Sequence, residues 1–313
     1  MLIKLCIYGG WWMLMEGDVG KARLPVHVRE ALESDRDAVF EFCRRTWSWG
    51  DYIPHVWDKW LREPNGKVFV ATLDGVPIGI QHITIDKPGE AWLSGARTAP
   101  QYRRMGVAKA ITAKCLEYAK SMGVKVVRLV TESDNVAALA AVQKMGFTAV
   151  AEFLEMELEK PSEASSRLSR WADVGSLESV WGYLQASDVY RLAAGLYTVL
   201  YHWYSLDKSD LEHFIRHGKA IIYTGESGAV DGLILVDDAV ASEWHEKAIQ
   251  TCYIDGAYEA VLDMAGFLLA YCHQKGIEKI YGFTCNHKPV IDALEKFGFK
   301  KPEKTAIIFE KQL

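Results

Sequence analysis

The sequence predicts a mixed α/β protein, of the α+β type with a mostly antiparallel sheet, in which one fold occurs twice in tandem. Strand-like runs alternate with helix-like runs along all 313 residues, which is typical of sheets flanked by helices. A stretch rich in Ser and charge, PSEASSRLSR, interrupts this alternation from residue 161. Two words recur in order: MGVKVVRLVT returns as KGIEKIYGFT, and AAVQKMGF, ending at Phe147, returns as DALEKFGF, ending at Phe299. Repeated words in matching strand and helix context indicate duplication of one fold.

These features predict the domain organisation. We expect an N-terminal extension at residues 1–24, a first domain at 25–160, a linker at 161–180 and a second domain at 181–313. Each domain is long enough to bury its own core. The apolar opening MLIKLCIYGGWWMLM is too short to span a bilayer and is followed by no small-residue cleavage site. We interpret it as translated from an upstream start codon, or as a tail that packs locally.

In the first domain, alternating and helical periodicities follow one another in a regular order. The dipeptide Asp74-Gly75 lies between two β-rich runs and predicts a tight hairpin,. The predicted elements are a strand at 26–31, helices from Ser34 and over 53–61, the hairpin strands KVFVATL and VPIGIQHITI, a strand at 90–98, a helix at 107–122, the strand KVVRLVT, the helix DNVAALAAVQKM and the closing strands FTAVAEFLEMELEK.

The second domain repeats this order after the linker. Helices are predicted over 187–201 and 208–216 before its first strand,. The elements that follow are the strands KAIIYTG, VDGLILVDD and KAIQTCYID, a helix over 258–275, the strand IEKIYGF, the helix PVIDALEKF and a last strand TAIIFEK.

Composition and charge exclude several function classes. The formal net charge of −5 gives no chain-wide basic field for nucleic acid or anionic lipid, so we expect neither a nucleic-acid nor a membrane partner,. The six cysteines form no C-x-x-C pair, and His213 and His217 lack further ligands beside them,. We therefore expect no metal site, reduced thiols and a cytoplasmic protein. Nucleophile-elbow, Walker and Rossmann patterns are also absent from the sequence,.

The segment TAPQYRRMGVA, residues 98–108, carries the chemical signal. A strand enters a short loop, and a helix begins at once. The first N–H groups of that helix lack intrahelical partners and the helix dipole adds positive character, so a diphosphate fits there. Arg103 and Arg104 supply cationic donors, and Gly106 allows the backbone to approach the phosphates. One strand and one helix later follows N-x-x-A-x5-K-x-G-F, from Asn135 to Phe147.

With these motifs, the segment from about Val26 to Lys160 resembles the GNAT superfamily of acetyl-CoA-dependent N-acyltransferases. The resemblance implies that acetyl-CoA is the donor substrate, that backbone groups around Ala96 and Thr98 pair with its pantetheine arm, and that Asn135 lies alongside that arm. The residues implied to hold the CoA diphosphate are Arg103, Arg104, Met105, Gly106, Val107 and Ala108. A narrower similarity, through the segments DYIP, WLREP and WLSGARTAP, is to the vertebrate histidine N-acetyltransferase branch, which also has a GNAT-like second half.

The second half departs from this pattern. At the position of the loop it has Asp255-Gly-Ala-Tyr-Glu259-Ala. No arginine is present, and the two acidic side chains would repel phosphate. We expect this half to keep the fold without ordinary CoA binding, and to shape the substrate cleft or serve as an internal dimer partner. The protein would then be a monomer with paired internal domains, or a homodimer.

Acyl transfer to an amine needs oriented substrates, a base for the amine and, in many relatives, an acid for the thiolate. The tyrosine that commonly supplies the acid is replaced by Val142. Asp51 and Tyr52 are the first candidates for catalytic residues, because the loop between the first two helices lines the acceptor site in this family. The other candidate bases are Glu90, His82 and Glu132.

The remaining candidates concern the acceptor. Arg97 could pair with a substrate carboxylate or with an internal acid, and Trp47 could line an aromatic acceptor pocket or simply pack between helices,. We expect acetyl transfer to a small-molecule primary amine, most plausibly the α-amine of a small amino acid. A lysine of pKa ~10.4 is rarely neutral at pH 7, a peptide α-amine of ~7.8 is neutral far more often, and the amine of a free amino acid lies between them. The alternatives are acetylation of a protein N-terminus or lysine, and a catalytically silent CoA-binding regulator.

Overall fold

The computed structural model describes residues 25–44, 46, 50–226, 228–238 and 246–313. The predicted N-terminal extension, residues 1–24, and the predicted acceptor residue Trp47 lie outside the described residues. Within them, no helix is long and apolar enough to cross a membrane.

Helices and strands follow one another in the order that the sequence predicts for most of the chain. The helices are α1 (Arg36–Cys43), α2 (Ile53–Arg62), α3 (Val107–Ser121), α4 (Val136–Lys144), α5 (Leu177–Ala186), α6 (Asp188–Leu192), α7 (Lys208–Arg216), α8 (Tyr258–Lys275) and α9 (Lys288–Lys296). The strands are β1 (His27–Glu30), β2 (Gly66–Leu73), β3 (Val76–Lys87), β4 (Glu90–Thr98), β5 (Val126–Glu132), β6 (Thr148–Glu159), β7 (Ser169–Trp171), β8 (Leu196–Val199), β9 (His202–Ser205), β10 (Ala220–Thr224), β11 (Val230–Asp237), β12 (Ala248–Gly256), β13 (Lys279–Cys285) and β14 (Ala306–Gln312).

The mixed α/β class and the tandem arrangement are confirmed, and the two halves share one sheet. Twelve strands form the order β1-β2-β3-β4-β5-β14-β6-β13-β12-β11-β10-β7. The pairs β4–β5 and β12–β13 are parallel, and the other neighbours are antiparallel. The second half therefore repeats the strand arrangement of the first, running inward from the opposite edge. The short hairpin β8–β9 forms a separate sheet.

The last strands of the two halves are exchanged. Strand β14, from the second half, pairs with β5 of the first half, and β6, from the first half, pairs with β13 of the second. Strands β14 and β6 also pair with each other at the centre. The sequence predicts a separate sheet for each domain. The continuous sheet arises because the last strand of each half pairs with strands of the other half.

The repeated words correspond to equivalent helix ends. Gly123 and Gly276 follow α3 and α8 with φ of +74° and +66°, and Gly146 and Gly298 follow α4 and α9 with φ of +82° and +88°. A left-handed residue directly after a helix lets the chain turn back, and glycine adopts it without steric cost. The words therefore mark the same two helix-to-strand turns in both halves.

Three further segments test local predictions. The hairpin β2–β3 is confirmed, with Asp74 and Gly75 both at positive φ and Leu73 paired with Val76. The helix predicted over 187–201 is wrong beyond Leu192, because residues 196–205 form β8–β9. Within the segment predicted as a linker, Ser169–Trp171 forms β7 and pairs with β10, and α5 begins at residue 177.

Helices cover both faces of the first-half sheet. Helices α3 and α4 pack with Ala91 and Leu93 of β4 on one face, which we call the α3 face. Helices α1 and α2 pack against β2 and β3 on the opposite face, the α2 face. Trp92 also points to the α2 face, where it stacks on Trp203 of β9 with ring centroids 5.7 Å apart. The second-half hairpin thus lies directly under the first-half sheet.

Candidate functional site

A cleft opens in the first half where β4 and β5 separate. These parallel strands pair only at Glu90–Val126, Ala91–Val127 and Trp92–Arg128. Strand β4 then continues to Thr98 and β5 continues to Glu132. In the described part of the chain no other strand pairs with the freed edge of β4. Two diverging strands leave backbone groups free for a bound molecule that lies between them.

The loop predicted to bind phosphate stands at the open end of this cleft. It runs from Thr98 through a single 3-10 turn to Gly106, the N-cap of α3. Arg104 and Gly106 have φ of +64° and +87°. A non-glycine residue in this region carries strain that is often retained at functional sites. A Cβ added at Gly106 would meet only open space, so the loop is accessible from outside.

The N-terminus of α3 offers free donors. Its first hydrogen bond back to the loop runs from the Ala110 N–H to the Gly106 carbonyl, at 3.0 Å. No side chain caps the helix, so the N–H groups of the residues before Ala110 face the loop,. Arg103, Arg104, Met105, Gly106 and Ala108 are exposed. Val107 is buried, and it anchors the helix so tightly on β3 that a Cβ at Gly79 would lie 2.8 Å from it.

The other residues predicted to bind acetyl-CoA lie on β4 and at the start of α4. Ala96 and Thr98 are on the diverging part of β4, and their carbonyls accept from Arg97 at 3.0 Å and from Arg103 at 3.4 Å, respectively. Asn135 is exposed and caps α4 by accepting from the Ala138 N–H at 3.1 Å. Val142 is buried in the core of the α3 face.

On the α2 face, the predicted catalytic residues hold the loop before α2 against β4. The Arg97 guanidinium donates to both carboxylate oxygens of Asp51, at 2.7 and 3.3 Å, and the Asp51 side chain is fully buried. Arg97 therefore contacts an internal acid, which is one of the two partners predicted for it. The Tyr52 hydroxyl accepts from the Gly95 N–H at 3.1 Å, and burial raises the pKa of this phenol.

Gly95 lies in a β-bulge. Ser94 pairs with His82 and Arg97 with Ile80, so two β4 residues oppose one residue of β3,. Gly95 has φ of +62°, and a Cβ there would overlap the Trp60 ring. The bulge redirects the backbone of β4 at the point where the cleft opens.

The Asp51–Arg97 pair gives a stability prediction. We expect Asp51→Asn to lower the free energy of unfolding by about 2–3 kcal/mol, because a half-buried guanidinium loses its counter-charge while an amide oxygen still accepts from it,. Urea denaturation measures the change. Glu41→Gln, which breaks the exposed Arg44–Glu41 pair, is the control and should cost less than ~0.5 kcal/mol,. Equal effects in both variants would contradict the prediction.

A second polar cluster on the α2 face was missed by sequence reasoning except for one member. The His82 Nε2 lies 2.7 Å from Glu63 Oε2, and its Nδ1 lies 3.1 Å from Ser94 Oγ. His82 is 1% exposed and stacks on Trp60 with ring centroids 4.3 Å apart. The only sequence signal was a histidine within the β-rich run of β3, where Gln81 and Thr84 are polar as well. Nothing local linked it to Glu63 at the end of α2.

The remaining candidate bases have other partners. Glu90 accepts from Arg128 at 2.6 Å and from the Ser205 N–H at 3.1 Å. Glu132 pairs with Lys304 at 2.6 Å near the surface. Within the described residues, no group of three or more His, Cys, Asp or Glu is placed to hold a metal ion.

The equivalent position in the second half is filled by protein. Strands β12 and β13 also separate beyond Thr251, but Asp255 there is buried. Its carboxylate accepts from the hydroxyls of Tyr183, Ser187 and Tyr253, at 2.8, 2.7 and 2.7 Å. Only Ala257 separates β12 from α8, compared with eight residues between β4 and α3. No open loop remains there for a phosphate.

Comparisons with known proteins find family and sequence similarity in the first half of the chain. The profile of the acetyltransferase (GNAT) family matches residues 30–147. Histidine N-acetyltransferase from Scomber australasicus is 35% identical over 108 residues, which is 34% of this chain and 32% of that protein. The histidine N-acetyltransferase of Xenopus tropicalis is 32% identical over 111 residues, 34% of each chain. The match thus spans about a third of the length of these curated relatives.

The solved structure of a GCN5-related N-acetyltransferase from Sphaerobacter thermophilus has the same fold. It superimposes with a TM-score of 0.61 at 11% identity, covering 92% of this chain and 96% of that chain. A single solved chain therefore matches both halves together.

Proposed function

We propose that this chain, whose residues 30–147 match the acetyltransferase (GNAT) family profile, transfers an acetyl group from acetyl-CoA to a primary amine. The observation that carries the proposal is the cleft between β4 and β5, with the exposed N-terminus of α3 at its open end. In the described part of the second half, the equivalent position is filled by Asp255 and the hydroxyls bonded to it, so we place the reaction in the first half.

The donor site fits the chemistry of a CoA thioester. A diphosphate is bound by free N–H groups at a helix N-terminus and by cationic side chains, and α3 supplies the first and Arg103 and Arg104 the second. The pantetheine arm is a chain of amides, which pair with backbone groups such as those on the diverging edge of β4. Asn135 would lie at the other side of the cleft, at the start of α4. Bound there, acetyl-CoA supplies the thioester carbonyl that the amine attacks.

The acceptor would enter from the α2 face. There Tyr52 and Trp60 lie edge to face, with ring centroids 6.0 Å apart, beside the bulge in β4. The hairpin β8–β9 closes the other side of this region, because His202 and Trp203 stack on Trp92, the last residue at which β4 pairs with β5. A region walled on two sides favours a small amine over a protein chain. We therefore propose the α-amine of a small amino acid, and the relatives named histidine N-acetyltransferase support a small acceptor.

Asp51 and Tyr52 have organising roles in this proposal. Asp51 is committed to Arg97, and the raised pKa of Tyr52 keeps its phenol protonated at neutral pH. Both fix β4 at the bulge, and Tyr52 contributes its ring to the acceptor region. Arg97 lies beside them, so a substrate carboxylate that binds there would share this guanidinium with Asp51.

Charge reversal in the loop tests the donor site. We expect Arg103→Glu to weaken CoA binding by at least about tenfold, because one charge-assisted hydrogen bond is worth ~1.5–3 kcal/mol and the new carboxylate repels phosphate. Isothermal titration calorimetry with CoA measures the affinity. The control is Arg191→Glu, an equal charge change on an exposed second-half residue, which should leave affinity unchanged. Equal affinities in wild type and Arg103→Glu would refute the placement of the diphosphate.

A substrate panel separates the alternatives for the acceptor. Release of free CoA thiol with amino acids but not with peptides supports the small acceptor, and the reverse supports a protein substrate. Tight CoA binding without thiol release across the whole panel would instead support a catalytically silent regulator. The replacement of the usual acidic tyrosine by Val142 favours this alternative.

A further inference from the structure

The Glu63, His82 and Ser94 side chains form one hydrogen-bonded line that crosses three elements. Glu63 follows the last residue of α2, His82 is on β3 and Ser94 is on β4. The two contacts, 2.7 Å and 3.1 Å, use both ring nitrogens of His82. The Glu63 carboxylate is mostly buried, the His82 imidazole is fully buried and Ser94 is half-buried.

The chemistry of the partners fixes where the protons lie. A carboxylate only accepts, so the His82 Nε2 carries the proton that is donated to Glu63. The Nδ1 of the neutral ring then accepts from the Ser94 hydroxyl. Burial lowers the pKa of His82, although Glu63 acts to raise it. The ring is therefore neutral at pH 7 and able to take up a proton on Nδ1.

Packing holds the imidazole in one orientation. Trp60 stacks on it with an interplanar angle of 4° and is itself in contact with the Gly95 backbone. A Cβ at Gly66 would overlap Glu63 and lie 2.8 Å from the His82 Nε2. Glycine at position 66 is thus what lets the carboxylate and the ring meet. Positioning by such surroundings is what a proton-transfer group needs.

Ser94 ends this line at the mouth of the cleft. Strand β4 stops pairing with β5 at Trp92, two residues earlier. Ala91 and Leu93 point to the α3 face, so Ser94, like Trp92, points to the α2 face, from which we propose the amine enters,. The bulge at Gly95 follows directly. The other candidate carboxylates on this face are bound elsewhere, Asp51 to Arg97 and Glu90 to Arg128.

We propose that Glu63, His82 and Ser94 form the proton relay that deprotonates the attacking amine, an inference that rests on the proposed acetyltransferase function. As the nitrogen forms its bond to the thioester carbonyl, its proton passes to Ser94 Oγ and the Ser94 hydroxyl proton passes to His82 Nδ1. The C–S bond then breaks, and its electron pair leaves as the CoA thiolate. Glu63 stabilises the imidazolium, which returns its proton to solvent. Ser94 is the catalytic residue, and His82 and Glu63 act through it.

Steady-state kinetics over pH is the first test. In the wild type we expect kcat/KM, once corrected for the neutral fraction of the acceptor amine, to rise with pH and level off, with an apparent pKa below the usual ~6.5 of histidine, because only the neutral ring accepts a proton. The charged and titratable groups that face His82 are Glu63, Asp86 and His202, and variants at the last two control for their contribution. Ser94→Ala should lower kcat by about 10²–10⁴-fold and abolish this limb, with CoA affinity unchanged.

Two matched variants separate the relay from a structural effect. Glu63→Gln keeps the hydrogen bond and the packing but removes the charge, so it should lower kcat without moving the midpoint of urea denaturation greatly. Gly66→Ala displaces the Glu63–His82 contact without altering a relay residue and should lower kcat in the same way. If kcat in Ser94→Ala falls by less than about tenfold while the wild type turns over, the relay is wrong and the acetyltransferase proposal stands.

A spectroscopic readout does not depend on turnover. Nitrogen-15 NMR of the histidine rings should show His82 neutral at pH 7, protonated on Nε2, and titrating below ~6.5. An imidazolium at pH 7, or a ring protonated on Nδ1, would overturn the relay whether or not an acceptor has been found. Failure of the wild type to bind CoA would instead overturn the proposed function.

Discussion

Residues 25–160 expressed alone are expected not to form a folded monomer. Strand β5 pairs along seven residues with β14, and β6 pairs along seven residues with β13, and both partners belong to the second half. Phe309 of β14 is also buried in the core of the α3 face. The fragment would expose a long strand edge and leave β6 without either neighbour, which favours aggregation.

Light scattering after size exclusion, together with urea denaturation, measures the outcome. The control is co-expression of residues 25–160 with residues 161–313, which should give a 1:1 complex, because the exchanged strands then find their partners. A monomeric 25–160 fragment with cooperative unfolding would contradict the prediction. It would show that β6 can fold back beside β5 in the position that β14 occupies in the full chain.

The exchange also explains what could be predicted from the sequence and what could not. Local signals were sufficient for the β2–β3 hairpin, for α3 and for the loop before it, because each depends on a turn dipeptide, a periodicity or a helix start. The destination of β6 and β14 has no local signal. Each strand follows an equivalent helix and an equivalent glycine turn, Gly146 or Gly298, so the sequence is compatible with pairing inside its own half.

The β8–β9 hairpin was mispredicted for a related reason. Leu196 and Thr198 are buried while Tyr197 and Val199 are half-buried, a period of two that four residues are too few to distinguish from a helix,. The hairpin is stabilised by contacts distant in sequence, such as Trp203 on Trp92.

The candidate site shows the same division. The loop that we propose binds the diphosphate is contiguous in sequence and could be located directly. The Glu63–His82–Ser94 line joins positions up to 31 residues apart. Asp51 was ranked as a candidate base because it lies in the loop between the first two helices. Only the distance to Arg97, 46 residues away, assigns its carboxylate to an ion pair.

Arg128 is expected to give the largest effect of a single substitution on stability. It is 5% exposed and donates to Glu90 of β4 at 2.6 Å, to Glu310 of β14 at 2.9 Å and to Ser205 of β9 at 3.0 Å. One guanidinium therefore joins both halves at the last residue before the cleft opens. Arg128→Met should lower the free energy of unfolding by about 3–5 kcal/mol, because it leaves two poorly solvated carboxylates without their cation.

The pH dependence of stability distinguishes this loss of charge from a loss of packing. Glu90 is desolvated, which acts to raise its pKa, but Ser205 and Arg128 lower it on balance. Between the ordinary pKa of glutamate and the lowered pKa of folded Glu90, the unfolded wild-type protein therefore binds more protons than the folded protein. The stability of the wild type falls as the pH drops through this interval,. In Arg128→Met, Glu90 keeps its desolvation but loses the cation, so its protonation should instead be favoured in the folded state and stability should rise as pH falls from 7 to 5,.

Urea denaturation at pH 7 and pH 5 gives both quantities. The matched control is Lys288→Met, which removes a cation from the exposed Lys288–Asp292 pair and should leave stability nearly unchanged at either pH,. A cost below about 1 kcal/mol at pH 7, or an Arg128→Met variant that loses further stability on acidification, would show that Glu90 and Glu310 do not depend on this cation. The opposite result would make Arg128 the residue that fixes the second half beneath the cleft, because its one guanidinium hydrogen-bonds to β4, β14 and β9 together.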